Sequence, residues 1–183
     1  MLILVVGPSG AGKDSLLNGA RVALAADPRF RFVRRVITRP ADAGGEAHEP
    51  ATEGEFLTRR AAGGFALDWQ AHGLRYGIPA DITADLAAGR AVIANISRGV
   101  LDMARSRFHV RIIEITAPKD VLAQRLAARG RESPADIAER VARIVAVPAA
   151  PDVETIQNDT TLEAGVARFV ATLIRAAESV PRS

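Results

Sequence analysis

Residues 2–15 read Leu2-Ile3-Leu4-Val5-Val6-Gly7-Pro8-Ser9-Gly10-Ala11-Gly12-Lys13-Asp14-Ser15. Five apolar residues in a row suit a strand buried on both faces of a parallel sheet. Gly7 to Lys13 then satisfy G-x-x-x-x-G-K, and a helical pattern follows from Ser15-Leu16-Leu17. In such a loop, backbone N–H groups curl around a phosphate at the start of a helix while the lysine ammonium reaches the outer phosphates. Strand, loop and helix occur in the order this requires, which favours nucleotide binding over a glycine-rich turn of no function. Asp14 stands where serine or threonine is expected. The usual hydroxyl ligates Mg²⁺, and a carboxylate can serve with more charge, so Asp14 is the candidate metal ligand. The alternative is a helix-start anion facing solvent.

The rest of the composition narrows the field. The chain has 183 residues, 48% of them hydrophobic, which is enough for one domain with a sizeable core. It has no cysteine, excluding disulfides and thiolate metal sites. Neither a secretory leader nor an apolar span of about 18 residues is visible, so a cytoplasmic protein without membrane association is expected. The 24 basic and 21 acidic residues nearly balance at a net charge of +3, and only 4% of residues are aromatic. With so few stacking platforms, nucleic acid is not an expected partner. Whether the chain forms a homodimer stays open.

Apolar strand candidates at residues 2–6, 31–37, 91–96, 110–115 and 153–156 alternate with helical patterns at 13–24, 82–88, 99–106, 119–129, 134–145 and 162–177. This predicts an α/β fold with a mainly parallel central sheet flanked by helices. Ser133-Pro134 supplies an N-cap followed by proline at the first helical position. The polar stretch 40–50, with Phe56 and residues 65–69 after it, breaks the alternation and reads as an inserted substrate-binding lobe. Residues 125–132, rich in arginine around Gly130, read as a lid.

Over nearly its whole length the chain resembles the guanylate kinase family of P-loop kinases, and within it the ribose 1,5-bisphosphate phosphokinase branch associated with phosphonate catabolism. The resemblance rests on Gly7 to Lys13, Ile37-Thr38-Arg39-Pro40, Gly45-Glu46, Gly73 with Tyr76-Gly77, residues 124–130, Arg140-Val141 and Asn158-Asp159. It implies a nucleoside-monophosphate-kinase-like fold over residues 1–183, with an acceptor-binding lobe at about 38–80 and a lid at about 125–140. It also implies phosphoryl transfer from MgATP to an acceptor that already carries a phosphate. By the same resemblance, Gly7, Pro8, Ser9, Gly10, Ala11, Gly12, Lys13, Asp14 and Ser15 hold the nucleotide. Lys13, Arg125, Arg129 and Arg140 serve the transferred group, although a solvated helix face is the other account of these arginines. Arg39 and Tyr76 bind the acceptor's phosphate, and Asn158 lies near the adenine unless it is a plain turn residue.

The departures from guanylate kinase point to the acceptor. The family reads guanine with a tyrosine after Gly-Glu, a glutamate before Gly73 and a hydroxyl after Tyr-Gly. Here Ala47-His48 follow Gly45-Glu46, Leu67 takes the glutamate position and Ile78 follows Gly77. Each unpaired guanine donor would cost about 1–3 kcal/mol. The pocket is thus expected to grip a phosphate without reading a base; Asp68, His48, His72 and Arg75 are polar candidates for sugar hydroxyls or the anomeric phosphate, with a plain surface residue as the other account of each. The strand at 91–96 also lacks the usual acidic residue and carries Asn95, so Asp14 and Asn95 form an expected exchange of the metal-holding charge. The expected reaction is ATP-dependent phosphorylation of ribose 1,5-bisphosphate to 5-phosphoribosyl 1-diphosphate. Its rivals are a guanylate or other nucleoside-monophosphate kinase and an inactive interaction module.

Overall fold

A computed structural model of the chain describes residues 1–41, 47–128, 130 and 133–178. Strand β1 (Leu2–Val6) is fully buried at all five positions. Its neighbours are β7 (Ala91–Asn95) and β8 (Val110–Thr116), with β2 (Phe30–Phe32) and β9 (Val153–Gln157) at the edges, in the order β2-β7-β1-β8-β9. Every pairing in this sheet is parallel. Alternate residues of β1 face two separate apolar layers. Ile3 and Val5 pack with Leu16, Leu122, Ile137 and Phe169, whereas Leu2, Leu4 and Val6 pack with Ile82, Leu101 and Ala104. The first layer draws on α1 (Lys13–Ala23), α5 (Lys119–Ala127), α6 (Pro134–Ala142) and α7 (Leu162–Glu178). The second draws on α3 (Ile82–Ala87) and α4 (Leu101–Arg107), the latter preceded by a 3₁₀ turn at Arg98–Val100. Helices on both faces explain why the strands are near-continuous apolar runs. One exception is Glu114, only 3% exposed, whose carboxylate accepts the Val147 N–H at 3.0 Å and fastens the segment after α6 to β8.

The expected strand at 31–37 is two strands in different sheets. Val33 still donates to the Ile93 carbonyl at 2.8 Å, but the chain then leaves the core sheet at Arg34 and Arg35. Two consecutive guanidiniums cannot continue a strand sandwiched between apolar layers. The chain resumes as β3 (Val36–Ile37) in a four-stranded sheet ordered β4-β3-β6-β5, with β4 (Glu49–Pro50), β5 (Phe65–Ala71) and β6 (Leu74–Pro79). Between β4 and β5 lies α2 (Glu53–Ala61), started by a capping box: the Glu55 N–H donates to Thr52 Oγ1 at 3.2 Å, and the Thr52 N–H to Glu55 Oε2 at 2.7 Å. β5 and β6 form an antiparallel hairpin closed by His72 and Gly73, both at positive φ (51° and 72°). That two-residue geometry is the turn whose twist matches paired strands.

Candidate active site

The loop after β1 sits at the carboxyl end of the central strand, where parallel α/β sheets bind ligands. Gly7 (φ 142°) lies so close to the Ile115 carbonyl that a Cβ there would collide with it. Gly12 (φ 86°) caps α1 in the left-handed region, turning the chain from loop into helix. The loop is held from behind. Asn158, only 6% exposed, donates its side-chain amide to the Ala11 carbonyl at 2.7 Å, and Arg125 Nη1 donates to the Asn158 carbonyl at 3.0 Å. The Lys13 ammonium arches back over the loop to the carbonyls of Gly7 (2.7 Å) and Pro8 (2.9 Å).

A cleft of about 340 Å³ opens in front of this loop. One wall is the loop itself, Gly7 to Ser15 without the fully buried Ala11. The other wall carries Arg35, Trp69, His72 and Tyr76, while Asn95, Ser97 and Arg98 close the end beside β7. Trp69 and Tyr76 are directly paired across β5 and β6 and stack with ring centroids 5.4 Å apart and planes 7° apart. The Arg35 guanidinium lies over both rings, 5.9 Å from Trp69 and 5.2 Å from Tyr76. Among the described residues that line it, the cleft has three cations, Lys13, Arg35 and Arg98, against one carboxylate, Asp14. Such a balance favours polyanions.

The expected site residues are distributed as follows. Lys13, Asp14, Ser15 and Tyr76 line the cleft with the loop glycines. Arg125 and Asn158 brace the loop, and what the Asn158 side chain touches is loop backbone. Arg140 is exposed in the last turn of α6 and does not line the cleft. Arg129 and the Gly45-Glu46 pair lie outside the described residues. Arg39 lines a neighbouring cavity of about 550 Å³ with Thr38, Thr52 and Glu53. It donates to Nδ1 of the buried His48 at 3.3 Å, which leaves His48 Nε2 to donate back to the Arg39 carbonyl at 3.0 Å. Among the described residues, Arg39 Nε is buried without a hydrogen-bond partner.

Of the polar candidates for the sugar, Asp68 pairs with Arg60 at 2.9 Å and Arg75 with Glu53 at 3.0 Å, both away from the cleft lining. His72 reaches the cleft from the hairpin tip. Leu67 and Ile78 are directly opposed across the hairpin, two pairs deeper than Trp69 and Tyr76, and both are fully buried in the apolar layer. Arg35, Trp69 and Arg98 are cleft residues that no sequence motif singled out. The available signal was an arginine pair interrupting an otherwise apolar strand pattern.

The residues present suit a Mg²⁺ ion held chiefly by substrate phosphates and water. Among the described residues, no three His, Cys, Asp or Glu side chains gather into a cage, whereas Asp14 offers a carboxylate beside the phosphate loop. Asn95 Nδ2 donates to Asp14 Oδ1 at 3.3 Å, orienting that group.

No family model matches the chain. The ribose 1,5-bisphosphate phosphokinase PhnN of Acidiphilium cryptum is 51% identical over 174 residues, covering 95% of this chain and 92% of that protein. The chain belongs to the ribose 1,5-bisphosphate phosphokinase family. The family member from Brucella melitensis biotype 2 is 49% identical over 170 residues, covering 92% of this chain and 88% of its own length. The chain is also 54% identical over 172 residues to the bifunctional ribose 1,5-bisphosphokinase-thymidine phosphorylase of Cupriavidus necator, but spans only 28% of that protein. Two further bifunctional relatives are spanned to 30% and 25% of their lengths. Among solved structures, a guanylate kinase from Anaplasma phagocytophilum superposes with a TM-score of 0.67 at 21% identity, covering 98% of this chain and 87% of that one. The phosphokinase family therefore shares its fold with guanylate kinases, a mixed α/β architecture built on a parallel sheet flanked by helices.

Proposed function

We propose that the chain transfers the γ-phosphoryl group of ATP to the anomeric phosphate of ribose 1,5-bisphosphate, giving 5-phosphoribosyl 1-diphosphate and ADP. The observation that carries this reading is the cleft's construction: a complete phosphate loop faces a wall of Arg35, Trp69 and Tyr76, while Leu67 and Ile78, which stand where a guanine reader needs polar side chains, are fully buried in the apolar layer. Those two positions offer a purine edge no hydrogen-bond partner, whereas the cleft's cations suit phosphates.

An oxygen of the anomeric phosphate forms the new bond to the γ-phosphorus as the bridge to the β-phosphate breaks. The nucleophile is already ionised, so no general base is needed; positioning and charge neutralisation do the work. The loop N–H groups and Lys13 cradle the nucleotide phosphates, and Arg125 keeps the loop in shape through Asn158. Asp14, oriented by Asn95, would hold Mg²⁺, which when bound neutralises phosphate charge. In this reading the second sheet is the acceptor-binding lobe, the α5–α6 region with Arg129 and Arg140 is the lid, and the enzyme works in the cytoplasm. Among the described residues no helix is long and apolar enough to cross a membrane.

The test is ADP release with ribose 1,5-bisphosphate and, separately, with GMP. Turnover with the bisphosphate alone is expected. Turnover with GMP alone would establish a nucleoside-monophosphate kinase, and folding without activity toward either would point to an interaction module.

A further inference from the structure

Ribose 1,5-bisphosphate carries two phosphates, and the chain presents two arginines, four residues apart, to two different cavities. Arg35 faces the cleft shared with the phosphate loop; Arg39 faces the neighbouring cavity. The phosphate that attacks must approach the γ-phosphoryl group beside Lys13, so it must occupy the first of these spaces. We propose that Arg35, seated on the Trp69–Tyr76 stack, binds the anomeric phosphate of the acceptor, leaving the 5-phosphate to the Arg39 side; the inference rests on the acceptor reading above.

Three features of Arg35 support the assignment. Its backbone is fixed where the chain leaves the core sheet, because its carbonyl accepts the Glu49 N–H at 2.8 Å. Its guanidinium lies over two ring faces, at 5.2 and 5.9 Å, which restrains a long side chain that would otherwise lose rotamer freedom on binding. A guanidinium stacked in this manner donates N–H groups in its own plane, the fork that matches two phosphate oxygens. A nucleoside monophosphate would bring its own attacking phosphate to this cation and set a base, not a second phosphate, on the Arg39 side. Arg35 thereby becomes a binding residue for the attacking phosphate, acting on the acceptor rather than on ATP.

The experiment compares wild type with Arg35→Gln and Arg35→Lys in steady-state kinetics and in competition with ribose 5-phosphate, which lacks the anomeric phosphate. For Arg35→Gln, the KM for ribose 1,5-bisphosphate should rise by about tenfold to a hundredfold, as expected for losing a charged hydrogen-bond pair. The KM for ATP should stay within about twofold, and inhibition by ribose 5-phosphate should be unchanged, since that ligand makes no contact with the missing side chain. Arg35→Lys, which keeps charge but not the planar fork, should fall between, and it carries the test if Arg35→Gln does not fold. An unchanged acceptor KM would overturn the assignment. So would a parallel rise for ATP, or an equal weakening of ribose 5-phosphate. A wild-type enzyme that neither turns over nor binds the bisphosphate would instead defeat the acceptor reading itself.

Discussion

Asn95, the last residue of β7, donates its side-chain amide to Asp14 in the first turn of α1 across 3.3 Å. The residue missing its usual carboxylate thus touches the residue that has gained one. Asp14→Ser should raise the Mg²⁺ concentration for half-maximal activity about tenfold, or ~1.4 kcal/mol. Asn95→Asp alone sets two carboxylates against each other and should lower both activity and melting temperature. The double variant should recover part of the loss by returning the charge to the strand. Magnesium titrations of the three variants decide this: if Asp14→Ser is tolerated at ordinary Mg²⁺ and Asn95→Asp changes nothing, no exchange took place.

Lys13 donates to the loop carbonyls of Gly7 and Pro8 and lines the cleft, so its removal should strip the nucleotide phosphates of a cation. Lys13→Met should lower kcat by about 10²- to 10³-fold, the scale of losing one preorganised electrostatic group. Thermal melts run beside the kinetics should show a midpoint close to wild type.

Asn158 is a different case, because its amide is buried against the loop. Asn158→Ala strands the Ala11 carbonyl and should cost about 1–3 kcal/mol of stability. A slackened loop should also raise the KM for ATP more than the KM for the acceptor. Equal changes in the two constants would argue that the residue only supports the fold.

Asp152 accepts two bonds from Arg105, at 2.8 and 3.1 Å, linking the approach to β9 with α4. The Arg105 guanidinium holds this carboxyl below its ordinary range, only partly opposed by burial. A group depressed in the folded state stabilises fully above its unfolded value and loses that contribution as pH falls through the folded one. Asp152→Asn should therefore lower the melting temperature most near neutral pH, with the difference shrinking below about pH 4. A difference that grows in acid would contradict the assignment.

What could be read from the residues depended on whether a feature was local. Leu2–Val6 and the loop to Asp14 are contiguous, so their chemistry is visible in one stretch. The five core strands follow from apolar runs, except that residues 31–37 hide a change of sheet at Arg34-Arg35. Helix α2 is absent from the expected elements even though Thr52 and Glu55 carry a local capping-box signal, because the residues around them are too polar to suggest a packed element. The His72-Gly73 turn is a weaker hairpin signal than the asparagine-glycine pair such turns favour. The cleft wall is non-local: Trp69 meets Tyr76 only because β5 and β6 pair in one register, and Arg35 meets both only because β3 joins that sheet. No spacing along the chain encodes that meeting.

The hairpin has its root in the core and its tip in the cleft. Leu67 and Ile78 are locked into the apolar layer, Trp69 packs against its edge, and Trp69, His72 and Tyr76 line the cleft before the phosphate loop. Under the proposed function, stability and acceptor choice are thereby written at different heights of one ribbon. Descendants of such a scaffold could exchange one small phosphorylated substrate for another by altering the few positions between 69 and 76, while inheriting the nucleotide machinery untouched. The same ribbon is where a designer seeking a new acceptor would begin.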